Sequence, residues 1–400
     1  MKEDVKAIRA AVEAVLPQVV SIRHQIHAHP EIGLKEVQTA QLAARTLREF
    51  GCDEVTEAVG GTGVVALIRG KRPGNGRTVL LRADMDALPL MEKSGCAWSS
   101  KIPGMMHACG HDGHVAWALA AAYALAKTRD FAGTAMVVIQ PGEEGWAGAR
   151  KMMEDGLFTR WSVDEVYAGH CAPELAVGDY GISRGASTSV ADLFHIDVVG
   201  VGGHGARPHQ TVDPVVTSAQ LVLALQTVVS RSIDPMHPAV VTVGGIHGGS
   251  ADGVSVIPES VRVSGTVRCL YEADQARIIE RMQAICDGLS ITSGARVQLH
   301  YEKRYPSLVN AEAQRQAAGA VFSELSGGRV NMDFPASMGA EDFAFMTGAK
   351  PGAFVKVGVA DAAHQASVHN PGFDFNDAVL AEAATGFAVL LARRLNLEAA

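Results

Sequence analysis

The sequence predicts an α/β protein that carries an inserted ferredoxin-like module, and three observations predict it. Short β-rich runs alternate with helical stretches up to about residue 187, and from there to about 304 the order becomes strand, helix, strand, strand, helix, strand. The chain has 400 residues, too many for one ordinary core.

Each element follows from local pattern. MKEDVKAIRA interleaves charged and apolar residues at helical spacing, so the chain reads as starting in a helix and not in a signal peptide. A second helix is expected after Glu31, running to a stop at Gly51. GVVALIRG (63–70), TVLLRADM (78–85) and TAMVVIQP (134–141) are β-rich runs ended by Gly, Asp or Pro, as buried strands of a layered sheet are. Between them, helices are expected at 113–128 and 145–155. The apolar run VAWALAAAYALA, from Val115 to Ala126, is too short to span a bilayer and alanine-rich enough for a buried helix.

In the insert, DLFHIDVVGV (192–201), AVVTVGGI (239–246), SVRVSGTVRCL (260–270) and ARVQLHYEKR (295–304) read as strands, with helices at 213–233 and 273–289. That β-α-β-β-α-β order is the split βαβ unit. A helical AEAQRQAAGAVFSEL and a closing helix from Asn376 then resume the first domain, which takes 1–186 and 305–400 and leaves 187–304 to the second.

Hydrophobic residues are 48% and charged residues 20%, the balance of a globular enzyme, not of a disordered or fibrous chain. A formal charge of -8 argues against nucleic acid or an anionic membrane as partner, since both need a basic face. A cytoplasmic protein is expected, and its six cysteines (52, 96, 109, 171, 269, 286), scattered without framework spacing, read as buried thiols or ligands.

The chemistry concentrates in MHACGHDGH, where Cys109 and His111 flank the small Gly110 at the entry to the Val115 helix. A thiolate and an imidazole are both good ligands for zinc and its neighbours. The bland alternative is a loop of satisfied polar residues with Asp112 capping the helix. In VVIQPGEEGWAGAR a β-rich run delivers Glu143 and Glu144 to the strand's C-terminal end, where open α/β sheets hold ligands. Adjacent carboxylates are usually a solvated face, but beside a metal one can bind the ion while the other takes a proton from water. His170, His204 and His369 stand at further strand or loop ends bracketed by Gly or Pro. A lone histidine is usually a satisfied one; so many such places together favour a metal site. His209, His247 and His364 lack that support, although His209 shares a turn with His204.

LLRADMDALP, MHACGHDGH, QPGEEG, GHCAPELAVG, GGHGARPHQTVDP, MGAEDFAF and HNPGFDF, in this order, resemble the dimetal amidohydrolases and peptidases. That family includes hippurate hydrolase, N-acyl-amino-acid aminoacylases, indole-3-acetyl-amino-acid hydrolases and related carboxypeptidases, and the resemblance runs from about residue 20 to 390. It implies a zinc-peptidase-like catalytic domain, with a mixed sheet between helices, and an inserted dimerisation or lid domain. By position it implies that Cys109, His111, Glu144, His170 and His369 bind two divalent ions per subunit and that Glu143 is the general base. It also implies that the inserted domains pair in a homodimer or higher homo-oligomer and send His204 toward the partner subunit's active site.

Five residues supply six ligations if one bridges. Cys109 is the favoured bridge and Asp112 the competing one. Where other branches carry His-x-Asp-x-x-Pro, this chain has Asp84-Met85-Asp86-Ala87-Leu88-Pro89, which leaves Asp84 and Asp86 to orient ligands from behind. Ser255 stands where the family's usual residue is Asn. Arg207 and Arg268 are candidates to hold a substrate carboxylate or equally to be surface salt-bridge partners, and His209 and Ser255 are further substrate-binding candidates.

The reaction so implied is hydrolysis of an N-acyl or N-aroyl amino acid to a carboxylic acid and a free amino acid. A metallo-carboxypeptidase or dipeptidase is the rival, and a non-catalytic metal-binding protein is a third reading, against which the intact Glu143 speaks. Zinc comes first among the metals, with manganese, nickel or cobalt as alternatives.

Overall fold

The computed structural model describes residues 3–74 and 76–397, so Met1, Lys2, Asn75 and residues 398–400, the outermost ends of the expected first domain among them, lie outside the described residues. The chain forms two units, one of Met1–Ser187, Val309–Pro335 and Asp342–Ala400, the other of Thr188–Leu308 and Ala336–Glu341. The expected boundary at 304 thus moves to 308, and six residues assigned to the first domain belong to the second. Local polar bonds explain the exchange: Ser189 N–H donates to the Gly339 carbonyl at 3.0 Å and the Ser189 hydroxyl to Met338 O at 2.8 Å. Periodicity carries no trace of such bonds.

The first unit is built on a mixed sheet of eight strands in the order Glu54–Val59, Gly63–Arg69, Thr134–Gln140, Thr78–Asp84, Glu165–Ala176, Gly352–Ala360, Tyr180–Gly181, Val330–Asn331. Thr134–Gln140, Thr78–Asp84, Glu165–Ala176 and Gly352–Ala360 are mutually parallel in the centre. Thr78–Asp84 and Thr134–Gln140 are buried along almost their whole length, which is why they read as continuous apolar runs. Two central strands escape that reading. Glu165–Ala176 carries a histidine, a proline and two glutamates, and Gly352–Ala360 is interrupted by glycine and lysine.

The helices differ from expectation at their starts, for visible reasons. The second begins at Val37, not directly after Glu31, because the Glu31 carboxylate accepts from the N–H groups of Gln38 and Thr39 at 3.1 and 2.9 Å and so caps it from outside. The 145–155 helix shrinks to Gly148–Glu154, since Gly145 and Ala147 take φ of 89° and 52°. The His111–Thr128 helix is buried on nearly every side, and its alanines let it lie close to its neighbours in the core.

The second unit holds a four-stranded antiparallel sheet in the order Ala239–Gly248, Ser260–Cys269, Ala191–Val199, Arg296–Tyr305. Helices Pro214–Ser232 and Glu272–Ser293 complete the ferredoxin-like βαββαβ arrangement. Asp213 caps the first of them, accepting from Val215 and Val216 N–H, with Pro214 at the first helical position. Among the described residues no helix is long and apolar enough to cross a membrane.

Candidate dimetal active site

The parallel strands of the first unit bring its acidic and imidazole groups to one level. Arg82 lies opposite Ala168 and Asp84 opposite Gln140, so Asp84 and the turn after Gln140, at the C-terminal ends of their strands, arrive beside His170 halfway along Glu165–Ala176. His170 is therefore inside a twelve-residue strand, not at the strand or loop end expected for it. The His111–Thr128 helix starts against this edge, and Gly110 makes the approach feasible. Its φ is 80°, and a β-carbon there would lie 2.6 Å from Cys171 Sγ.

Donor atoms converge in several groups, and two of them gather the expected ligands. Cys109, His111 and His170 place one donor atom each within 4.8 Å of one another, and so do Cys109, Glu144 and His369. Cys109 stands in both groups. Its Sγ is 3.4 Å from His170 Nε2, and His369 Nε2 pairs with Glu144 Oε1 at 2.9 Å. His369 holds a φ of 63°, a strained conformation for a non-glycine residue, with its N–H donating to Ala108 O at 2.7 Å.

The residues behind these donors fix which nitrogen is offered. His111 Nδ1–H donates to Asp86 at 3.2 Å, which leaves Nε2 buried, without a hydrogen-bond partner and open to a cation. His170 Nδ1–H donates to Cys171 O at 2.7 Å, so its Nε2 is the bare nitrogen. Asp86 also accepts from the N–H groups of Glu143 and Glu144, both at 3.0 Å, and thereby sets the turn that carries both glutamates. The Glu143 carboxylate accepts from the Asp342 N–H at 3.4 Å.

The electrostatics are those of a cation site. Burial pushes the Cys109 thiol well above its usual range and the Glu144 carboxylate adds to that, so a thiolate there needs a compensating positive charge. Burial alone would lower His111, but the Asp84 and Asp86 carboxylates override it and raise the imidazole to about 10, so its Nε2 gives up a proton where a cation binds. His170, pushed well below its usual value by burial, is the neutral imidazole that ligation requires. An orphaned buried nitrogen, a thiol and carboxylates together fit two divalent ions.

Other expected residues fall elsewhere. Asp112, the rival bridge, has one oxygen engaged, its Oδ2 accepting from His27 Nδ1 at 2.8 Å and from Arg23 Nη1 at 3.1 Å, while its buried Oδ1 has no hydrogen-bond partner. Asp84 accepts from His114 Nδ1 at 2.6 Å and from Arg82 at 2.8 Å, and lies 3.5 Å from His111 Nε2. In the second unit His204, Arg207 and His209 are exposed in one turn, and Ser255 adjoins it, its carbonyl accepting from Gly205 N–H at 2.7 Å. Ala206 N–H donates to His204 Nδ1 at 3.1 Å, so the ring's own proton sits on Nε2. Arg268 lies half-buried on the Ser260–Cys269 strand, its guanidinium donating to the Thr266 hydroxyl and the Val267 carbonyl.

Sequence reasoning missed His114, Arg82, Gln140, Asp342 and Glu36. His114 has both nitrogens satisfied, since Nε2 accepts from Cys171 N–H at 3.0 Å, and it ties the strand bearing His170 to Asp84. Buried Arg82 donates to Gln140, Asp84 and Asp342 at 2.8, 2.8 and 2.9 Å. An arginine inside the apolar run TVLLRADM was the available signal, because a buried charge demands partners. Glu36 accepts from Gly142 N–H at 2.8 Å and steadies the turn before Glu143.

The chain is similar to known proteins along most of its length. The chain is 37% identical over 376 residues to hippurate hydrolase of Campylobacter jejuni, covering 94% of this chain and 96% of that protein. It is 36% identical over 359 residues to thermostable carboxypeptidase 1 of Saccharolobus solfataricus, covering 88% and 89%. The crystal structure of a dinuclear metal-binding M20 peptidase from Bacillus subtilis superposes with a TM-score of 0.84 at 30% identity, covering 96% of this chain and 100% of that one. The peptidase family M20/M25/M40 matches residues 80–393, well over half of the sequence, and the chain belongs to that family.

Proposed function

We propose that the protein is a metal-dependent amidohydrolase that cleaves the amide bond of N-acyl or N-aroyl amino acids, releasing a carboxylic acid and a free amino acid. The observation that carries this reading is the pair of donor triads sharing Cys109, with Glu143 next to a donor in sequence yet held by the Asp342 N–H. Cys109, His111, Glu144, His170 and His369 hold two divalent ions, zinc ahead of manganese, nickel or cobalt. Bound there, the ions would polarise the amide carbonyl and lower the pKa of a water from about 15.7 toward roughly 7.

Glu143 takes the proton of the attacking water and returns it to the leaving nitrogen. Asp86, through its bonds to both glutamate N–H groups and to His111, keeps that base and a ligand in one fixed frame. The partner subunit's His204 donates from Nε2 to the developing oxyanion, a role supported by the tautomer that Ala206 imposes. Arg207, Arg268, His209 and Ser255 serve the substrate's carboxylate and flanks. A homodimer is supported by exposed Val215, Val216 and Leu223 on the Pro214–Ser232 helix and by the free edge of the Ala239–Gly248 strand. The cytoplasm is the compartment proposed, where thiols stay reduced.

The relative named as a carboxypeptidase favours one second reading, peptide hydrolysis by the same residues. The test is a metal-reconstituted enzyme offered acetyl, benzoyl and indoleacetyl amino acids beside a dipeptide panel. Turnover confined to dipeptides transfers the assignment to the peptidase reading, and turnover of neither class defeats both.

A further inference from the structure

A second gathering of donor atoms lies around the Met91–Ser100 loop, and the proposed reaction leaves it idle. His27, buried on the first helix, has both ring nitrogens engaged: Nδ1 lies 2.8 Å from Asp112 Oδ2 and Nε2 3.1 Å from Glu92 Oε1. Cys96 Sγ lies 3.7 Å from that same Glu92 oxygen. His27, Cys96 and Asp374 each offer one donor atom within 4.8 Å of the others. One nitrogen, one sulfur and two carboxylates therefore meet from three separate segments of the chain.

We propose that His27, Glu92, Cys96 and Asp374 form a third metal site, which takes a thiophilic divalent ion such as zinc. A tetrahedral zinc with bonds of about 2.0 to 2.3 Å draws its donors from spacings of this order. The His27–Asp112 contact is the carboxylate–imidazole pairing that orients a metal-binding histidine toward its ion. The charge balance also suits a cation. Asp112, Asp374 and Asp377 surround the single guanidinium of Arg23, at 3.1, 3.5 and 2.7 Å, and Glu92 adds a further carboxylate. Burial would raise the Cys96 thiol, yet hydrogen bonds with His27, Ser94 and Ser99 bring it below its ordinary value. Cys96 and Asp374 are half-buried, while His27 is buried. The ion's role there is to clamp the Met91–Ser100 loop onto the first helix.

The test compares the wild-type chain with Cys96→Ser, each stripped by chelator, reloaded with zinc, gel-filtered and assayed for zinc per chain. The variant is expected to hold one ion fewer. In the wild type, peptide mass spectrometry should find Cys96 alkylated by iodoacetamide about tenfold faster in stripped than in zinc-loaded protein, since a ligated thiolate is withheld from the reagent. Equal zinc in the two proteins, or equal alkylation of Cys96 with and without zinc, overturns the site and leaves His27 as an imidazolium between Asp112 and Glu92. The zinc readout is a difference between two proteins, so it stands apart from how many ions the Cys109 cluster takes and from whether amides are cleaved.

Discussion

Cys109 belongs to both of these donor triads, whereas one oxygen of Asp112 is taken up by His27 and Arg23. Cys109→Ser is therefore expected to lose most bound metal and nearly all hydrolysis while keeping its circular-dichroism spectrum, and two ions per chain by elemental analysis in that variant would refute the bridge. Glu143→Gln removes the base but no donor. It should keep both ions and substrate affinity while turnover falls about 10²–10⁴-fold, measured as kcat against KM. Asp86→Asn acts from behind the donors, where it holds His111 Nδ1 and the N–H groups of both glutamates. Metal affinity there should drop about 10–100-fold, read by competition with a chromogenic chelator. His111, Glu143 and Glu144 were visible as residue types in the sequence. Asp86's threefold attachment was not, because it joins positions 57 and 58 residues apart.

At the scale of elements, the strand bearing His170 is held by Glu165 at its start. That buried carboxylate accepts from Arg394 on the closing helix at 2.6 and 2.7 Å, from Arg77 at 2.7 Å and from the Tyr167 hydroxyl at 2.8 Å. Burial works to raise its pKa, but the Arg394 and Tyr167 hydrogen bonds prevail and lower it. A depressed carboxylate stabilises the fold above its unfolded pKa of about 4.3 and loses that contribution as pH falls through the folded value. Glu165→Gln should accordingly destabilise by about 1–3 kcal/mol at pH 7, because two arginines lose an acceptor. The gap between variant and wild type in thermal unfolding should narrow below pH 4; a gap that widens in acid would contradict the assignment. This strand went unseen in the sequence because its histidine, proline and glutamates break the apolar run that buried strands usually show.

At the scale of the whole molecule, the proposed reaction needs His204 from a second copy of the chain. Mixing His204→Ala chains with Glu143→Gln chains tests this directly. If His204 serves the partner's site, one site in each mixed dimer has both residues intact, and activity should return to about half of one wild-type site pair as two inactive parents combine. No recovery in a verified heterodimer, or a monomer in solution, would remove His204 from the partner's mechanism.

The sequence by itself determined the βαββαβ order of the second unit, the long helices, three central strands or their neighbours, and which residue types could serve as donors. Those depend on periods of two and 3.6 residues and on side-chain chemistry, which are local. Only the tertiary structure decided which donors share a point in space. Asp112 competed on paper with Cys109, the favoured bridge, and nothing local told that its Oδ2 meets His27 and Arg23, 85 and 89 residues away. Arg82 joins Asp342 across 260 residues, and nothing in either local stretch names the other. Such pairings follow from strand order and register, which are set by burying the whole sheet at once. A register shift of one residue would turn His170 to the opposite face and leave the cluster without a donor.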